Sequence, residues 1–119
     1  MRISQLVFVI VTFTIFITCT QGIAKNIDDL ISETKKNPSS AVAHNKLGLA
    51  YSNTGKYHKA IAEYRKALKI NPTFALVYNN LGSAYHEIGL VNQAISEYKK
   101  CLELMPNSYK TLANNWIEV

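Results

Sequence analysis

Apolar residues recur at helical spacing through the middle of the chain and are interrupted at regular points by glycine and proline. In residues 41–74, a first apolar set precedes Gly55 and a second set precedes Pro72; the sets are Leu47, Ala50 and Tyr51, then Tyr57, Ala60, Ile61, Tyr64, Ala67 and Leu68. Glycine supplies the left-handed residue that ends many helices, and proline cannot continue one. The pattern therefore predicts two short helices joined by a tight turn.

The same pattern is then repeated without a gap. Blocks 41–74 and 75–108 are identical at fourteen of their 34 positions, which are Ala41/Ala75, Asn45/Asn79, Leu47/Leu81, Gly48/Gly82, Ala50/Ala84, Tyr51/Tyr85, Gly55/Gly89, Ala60/Ala94, Ile61/Ile95, Glu63/Glu97, Tyr64/Tyr98, Lys66/Lys100, Leu68/Leu102 and Pro72/Pro106. A fixed period of 34 residues is typical of a solenoid of stacked helical hairpins.

Residue sizes at the repeated positions predict how each hairpin packs. We expect Gly48 and Gly82 to let two antiparallel helices approach closely, with neighbouring tyrosines filling the space beside them. Cys101 stands where the first block has Ala67, so we expect it in the core. The opposite face of the second helix is predicted to be polar; its members are His58, Lys59, Glu63, Lys66 and Lys69.

The order Leu-Gly-x-x-Tyr, Gly, Ala-Ile-x-x-Tyr-x-x-Ala/Cys-Leu, Pro resembles the tetratricopeptide repeat (TPR) over all of residues 41–108. The resemblance implies an all-α fold, a right-handed solenoid of helical hairpins. It also implies a general role in binding other proteins, and it names no partner.

Both ends of the array are predicted to carry capping helices. Residues 25–40 hold an apolar stripe that includes Ile27 and Ile31, so we expect an N-terminal capping helix or the second helix of a degenerate repeat. Residues 109–119 begin a third block but have Trp116 where glycine is expected. We expect a C-terminal capping helix anchored by Trp116, or a truncated third repeat.

Residues 1–24 are typical of a targeting segment. Arg2 precedes an apolar run from Leu6 to Ile17, which as a helix spans about 18 Å, short of a hydrocarbon core of about 30 Å. We therefore predict a secretory signal peptide cleaved after Ala24. The alternatives are an uncleaved membrane anchor and lipidation at Cys19. Each places the repeats outside the cytoplasm, and we expect a bacterial periplasm.

In TPR proteins the first helix of each hairpin lines the concave face. Carried over, the resemblance implies a peptide-binding groove formed by Asn45, Lys46, Leu49, Ser52, Asn53, Asn79, Asn80, Ser83, His86, Glu87 and Asn114. Asn80 and Asn114 are repeat equivalents, similar to the asparagine ladder of protein O-linked N-acetylglucosamine transferases, and an amide can both donate to and accept from a peptide backbone. The alternative is that these asparagines only solvate a helix face. The carboxylate clamp of chaperone-binding TPR domains matches poorly, because Asn45 and Leu49 stand where lysine and asparagine are expected.

Positive charge is concentrated in the first block. The chain has a net charge of +5, and block 41–74 holds six basic residues and one acidic residue, against two and three in block 75–108. Such an excess of positive charge is consistent with an acidic partner or an anionic membrane. Its predicted position on the outer face of the second helix favours a solvated surface instead, and no basic-aromatic interleaving indicates nucleic-acid binding.

No motif indicates an enzyme, a metal site or a cofactor. His44, His58 and His86 lie far apart without ligand spacing, and we expect them at the surface or in the groove.

The leading hypothesis is an exported adaptor or assembly factor that binds an extended peptide or partner helix in its groove. One alternative is a membrane-tethered scaffold that self-associates end to end. Another is the truncated TPR arm of a larger protein such as a TPR-containing glycosyltransferase.

Overall fold

Residues 2–105 form five α-helices. A computed structural model describes the backbone of residues 2–105 and the side chains of residues 2–7, 9–10 and 27–105. In chain order the helices are α1 (Arg2–Lys36), α2 (Ala41–Asn53), α3 (Tyr57–Ile70), α4 (Ala75–Glu87) and α5 (Val91–Leu104). The predicted all-α class is confirmed, since residues 2–105 contain no strand. The predicted C-terminal helix over 109–119 lies outside the described residues.

The turn inside each hairpin is built on a left-handed glycine. Gly55 has φ of +74°, its N–H donates to the Ser52 carbonyl at 3.0 Å, and the Lys56 N–H donates to the Tyr51 carbonyl at 2.9 Å. This pair of bonds is the Schellman motif, which satisfies carbonyls at the end of α2. Gly89, with φ of +80°, forms the same turn after α4. Both glycines therefore end a helix as predicted.

The two helices of a hairpin approach closely because glycine faces tyrosine. A Cβ atom placed on Gly48 would lie 2.5 Å from Cε1 of Tyr64, and one placed on Gly82 would lie 2.7 Å from Cε1 of Tyr98. Both distances are far below van der Waals contact. The predicted glycine–tyrosine packing is confirmed in both repeats.

The core lies between the two hairpins. Tyr64 on α3 and Val77 on α4 are its largest fully buried side chains, and the cluster around them comprises Ala60, Ile61, Ala67, Leu81, Ala84, Tyr85 and Ala94. Neither hairpin could bury such a face alone, so the hairpins stack. Cys101 on α5 is buried as predicted.

The N-terminal helix is longer than expected. Residues 27–36 are helical as predicted, but they form the last turns of α1, which begins at Arg2. This helix contacts α2, and Ile27 and Thr34 on it are buried. Near its start, Ile3 and Val9 are more than half exposed. In the part of the chain with described side chains, no helix is long and apolar enough to cross a membrane.

Two side chains predicted at the surface are buried instead. Glu63 was expected on the outer face of α3 and His44 at the surface or in the groove, but they are only 8% and 7% exposed. The His44 Nδ1 atom lies 2.7 Å from Glu63 Oε2, and Lys66 Nζ donates to Glu63 Oε1 at 2.7 Å. The ring and the ammonium group supply the hydrogen bonds that a buried carboxylate requires. His58 and His86 are exposed as predicted.

Candidate peptide-binding groove

The first helices of the two hairpins lie on the inner side of the array. Helix α2 contacts α4 directly, whereas α3 and α5 do not contact each other within residues 2–105. The array is therefore curved so that its inner surface is formed by α2 and α4. This arrangement is the one that the sequence resemblance implied for a groove.

One hydrogen bond joins the inner helices. The Asn80 Nδ2 atom donates to Asn45 Oδ1 at 3.0 Å. Asn45 is buried, at 5% exposure, while Asn80 is half-buried. Asn45 thus lies beneath the candidate groove, where its amide oxygen links α2 to α4. Asn80 still has amide groups that can meet a ligand, because a carboxamide has two N–H groups and one carbonyl oxygen.

Most of the other predicted groove residues are exposed. These are Lys46, Leu49 and Asn53 on α2, followed by Asn79, Ser83, His86 and Glu87 on α4, with Ser52 half-buried. Asn114 lies outside the described residues, so the predicted asparagine ladder is described only at Asn80. The hydrogen bond between Asn45 and Asn80 is the one that joins predicted groove residues of α2 and α4 among the described residues.

The groove has one lysine among its described side chains, and that lysine faces a carboxylate. Lys46 Nζ lies 3.8 Å from Glu33 Oε1 of α1, and the two side chains are 54% and 45% exposed. An exposed pair at this distance contributes little to stability, and it partly neutralises the ammonium group. Lys46 is therefore not an unopposed ammonium group for an acidic ligand.

Two apolar groove residues were missed by the sequence analysis. Val42 and Leu76 are repeat equivalents in the first turns of α2 and α4, and they are 53% and 54% exposed. Val42 shares a helix face with Asn45 and Leu49, and Leu76 shares one with Asn80, because residues three, four and seven apart align. The sequence did indicate these two residues, because aliphatic side chains occupy the same position in both repeats although the TPR pattern does not require them there.

A TPR family model matches residues 53–89, and a tetratricopeptide repeat model matches residues 75–108. The chain carries tandem tetratricopeptide repeats. The predicted family and solenoid fold are thereby confirmed. No curated protein sequence matches the chain significantly.

Solved structures share these tetratricopeptide repeats. A crystal structure of the MamA protein is 40% identical over 66% of this chain and 43% of its own, with a TM-score of 0.63. A second MamA structure is 34% identical over 78% of this chain and 54% of its own, with a TM-score of 0.70. The chain spans about half the length of these MamA structures.

A third similar structure contains a bound peptide. It is the second TPR of Spaghetti (RPAP3) bound to HSP90 peptide SRMEEVD, 18% identical over 70% of this chain and 77% of its own, with a TM-score of 0.67. At this identity the likeness concerns the fold alone. The two repeat matches, at residues 53–89 and 75–108, support a protein-protein interaction module.

The described residues show no metal-binding chemistry. No group of three or more histidine, cysteine, aspartate or glutamate side chains among them is placed to hold a metal ion. His44 is occupied by Glu63 and by the Pro38 carbonyl, which lies 3.1 Å from its Nε2 atom.

Proposed function

We propose that this protein is an exported TPR adaptor that binds an extended peptide or partner helix against α2 and α4. The observation that carries the proposal is the combination of exposed aliphatic side chains (Val42, Leu49 and Leu76) with the half-buried amide of Asn80 on one inner surface. Aliphatic side chains supply area to bury, and the amide supplies backbone hydrogen bonds.

Because Glu33 lies beside Lys46, the candidate groove favours an uncharged or apolar peptide over an acidic chain terminus. The peptide bound to the RPAP3 domain, SRMEEVD, contains several acidic residues. The candidate groove offers Lys46 paired with Glu33, together with the exposed side chains of Leu49 and Leu76. We therefore propose the same general mode of binding with a different ligand chemistry.

Export rests on residues 1–24. Their positive start and short apolar run support delivery across a membrane, with the repeats in a bacterial periplasm. Cleavage after Ala24, retention as an anchor and lipidation at Cys19 differ in the mass of the mature protein, so mass spectrometry of the purified cellular form separates them.

Photocrosslinking in native cells tests groove binding. A probe is placed at Ser83 on α4, with a control probe at Gln93 on the outer helix α5, both exposed. We expect a discrete partner to be captured from Ser83 alone. Equal capture from Ser83 and Gln93 would contradict the proposal.

A matched pair of substitutions sharpens this test. Leu49 and Ile70 are both exposed aliphatic residues, at 37% and 39%, on the inner helix α2 and the outer helix α3. We expect Leu49→Asp to abolish the crosslink from Ser83 and Ile70→Asp to leave it unchanged. Loss in both variants would point to unfolding, which circular dichroism detects.

A second candidate function is self-association through α5. Ile95 is 46% exposed, although its repeat equivalent Ile61 is only 7% exposed because α3 packs against α4. Sedimentation at rising concentration tests this, and a monomer at every concentration would contradict it.

A further inference from the structure

The exposed outer surface of α3 is basic and has no exposed carboxylate. Its exposed basic side chains are Lys59, Arg65, Lys66 and Lys69, and we call this set the α3 basic face. Glu63 is the sole acidic residue of block 41–74, and it is buried between His44 and Lys66. Glu63 is thus the one negative charge beside this face, and it offsets the charge of Lys66. Among the described residues, no carboxylate pairs with Lys59, Arg65 or Lys69, which carry the net positive charge of the face.

Internal contacts fix the position of several of these cations. Lys59 Nζ lies 5.6 Å from the centre of the Tyr51 ring, and the Arg65 guanidinium lies 5.8 Å from the centre of the Tyr85 ring and donates to its hydroxyl. Lys66 remains 58% exposed while it holds Glu63. Charges held in this way need little reordering when they meet an anionic surface.

The basic face belongs to one repeat and is not required by the fold. The equivalents of Lys59 and Lys69 on α5 are Gln93 and Glu103, and both hairpins pack in the same way. The α5 surface therefore combines Lys99 and Lys100 with exposed Glu103. This difference supplies a control helix within the same molecule.

Apolar surface accompanies the basic charge. Pro38 and Ile70, the latter 39% exposed, line a cleft of about 350 Å³ with Lys66 and Lys69, and Lys35 lines an adjoining cleft of about 390 Å³ with Lys66. Lysines beside aliphatic groups suit the boundary between lipid headgroups and acyl chains. Tyr51 and Tyr85, by contrast, are covered by Lys59 and Arg65 and offer no exposed ring for base stacking.

We propose that the α3 basic face binds the surface of an anionic lipid bilayer. The proposal is independent of the ligand of the groove, because α3 lies on the outer side of the array and α2 and α4 remain accessible. A polybasic surface gains affinity from each cation near anionic lipid, and the gain falls with salt.

Vesicle binding of the full-length chain tests the proposal. Binding is measured on phosphatidylcholine vesicles and on vesicles in which about one third of the lipid is phosphatidylglycerol, at low and high salt. The quantity to compare is the affinity for anionic vesicles divided by the affinity for neutral vesicles. Apolar residues such as Ile3 and Leu6 contribute to binding of both vesicle types, so their contribution cancels in this ratio. We expect a ratio of at least about 10 at low salt that falls at high salt.

Two variants with the same change in net charge locate the surface. Lys59→Gln with Lys69→Glu gives α3 the residues of α5, and Lys99→Gln with Lys100→Glu makes the same charge change on α5. We expect the ratio of affinities for anionic and neutral vesicles to fall about 10-fold in the α3 variant. The α5 variant should keep most of this ratio. Unchanged binding to neutral vesicles and an unchanged circular dichroism spectrum show that each variant is folded.

Three results would overturn the proposal. One is an equal loss in both variants, which would assign the effect to net charge. Another is an α3 variant that keeps the full anionic preference. The third is α3-dependent binding to an RNA oligomer without any preference for anionic vesicles.

Discussion

His44 and Glu63 form a buried hydrogen-bonded pair between α2 and α3, with Nδ1 and Oε2 2.7 Å apart. The other ring nitrogen, Nε2, lies 3.1 Å from the Pro38 carbonyl oxygen. The ring donates to both acceptors when it carries two protons. At the equivalent position, Tyr78 donates its hydroxyl to the Pro72 carbonyl at 2.9 Å, so both repeats link this site to the preceding loop.

We expect Glu63→Gln to lower the free energy of unfolding by about 1–3 kcal/mol, because the amide cannot accept from both His44 and Lys66 as the carboxylate does. The matched control is Glu97→Gln on α5. Glu97 lies 3.4 Å from Lys100 Nζ, against 2.7 Å for Glu63 and Lys66, and Tyr78 stands at the position equivalent to His44. The Glu97→Gln change should therefore cost within about 0.5 kcal/mol. Denaturant titration measures both values. Equal losses would show that the His44 contact contributes nothing specific.

Adding a methyl group at Gly48 should be more damaging than adding one at Gly82. Each new Cβ would press on a tyrosine ring, but Tyr64 is 1% exposed and cannot move, whereas Tyr98 is only half-buried. We expect Gly48→Ala to destabilise by about 1–3 kcal/mol, as other overpacked cores do, and Gly82→Ala to cost less. Thermal unfolding of the two variants gives the order. The reverse order would mean that the Tyr98 ring is held as firmly as that of Tyr64.

Gly55→Ala should cost about 1 kcal/mol for a different reason. No atom lies within 4 Å of a Cβ placed there, but the φ of +74° is unfavourable for any residue with a side chain. Asparagine tolerates this region better than alanine, so Gly55→Asn should restore part of the loss. A Gly55→Asn variant less stable than Gly55→Ala would contradict a purely conformational cost.

Stability should fall as the solution is made strongly alkaline. Burial raises the pKa of Tyr64 from 10.0 to about 12, and a hydrogen bond with Ser52 lowers it by a smaller amount. The unfolded chain thus ionises Tyr64 near pH 10 while the folded chain keeps the proton, so its contribution is complete below pH 10 and is lost as pH rises toward about 12. Tyr64→Phe should flatten this part of the stability profile relative to Tyr98→Phe. Identical profiles for the two variants would contradict the assignment.

Cys101 should react slowly with thiol reagents in the folded protein. Burial raises the pKa of its thiol, and a hydrogen bond with the Asn79 backbone opposes this more weakly. The reactive species is the thiolate, and a raised pKa makes the thiolate scarce. Cys101 is also only 3% exposed, so the reagent has little access to it. In a Cys19→Ser background, we expect maleimide labelling at pH 8 to be at least about 100-fold slower than in denaturant. Rapid labelling of the folded chain would show that α5 opens readily.

The sequence predicted the helical hairpins well because their determinants are local. Gly55 and Gly89 end helices through their own backbone freedom, and the spacing of Ala60, Ile61 and Tyr64 defines a buried stripe without reference to any other helix. The 34-residue repeat then predicted that the two hairpins stack. The groove residues on α2 and α4 were predicted only through the resemblance to other TPR proteins, and Val42 and Leu76 were overlooked.

By itself, the sequence determined the family, the solenoid of hairpins and the glycine–tyrosine packing, since these depend on periodicity and on side-chain size. The tertiary structure decided which polar residues are buried where the buried and exposed faces of a helix meet. Glu63 is buried because His44 and Lys66 satisfy its carboxylate, and Asn45 lies beneath the groove because Asn80 reaches it across the repeat boundary. Helical spacing places such residues near an interface, but only partners from other helices determine whether burial costs less than solvation.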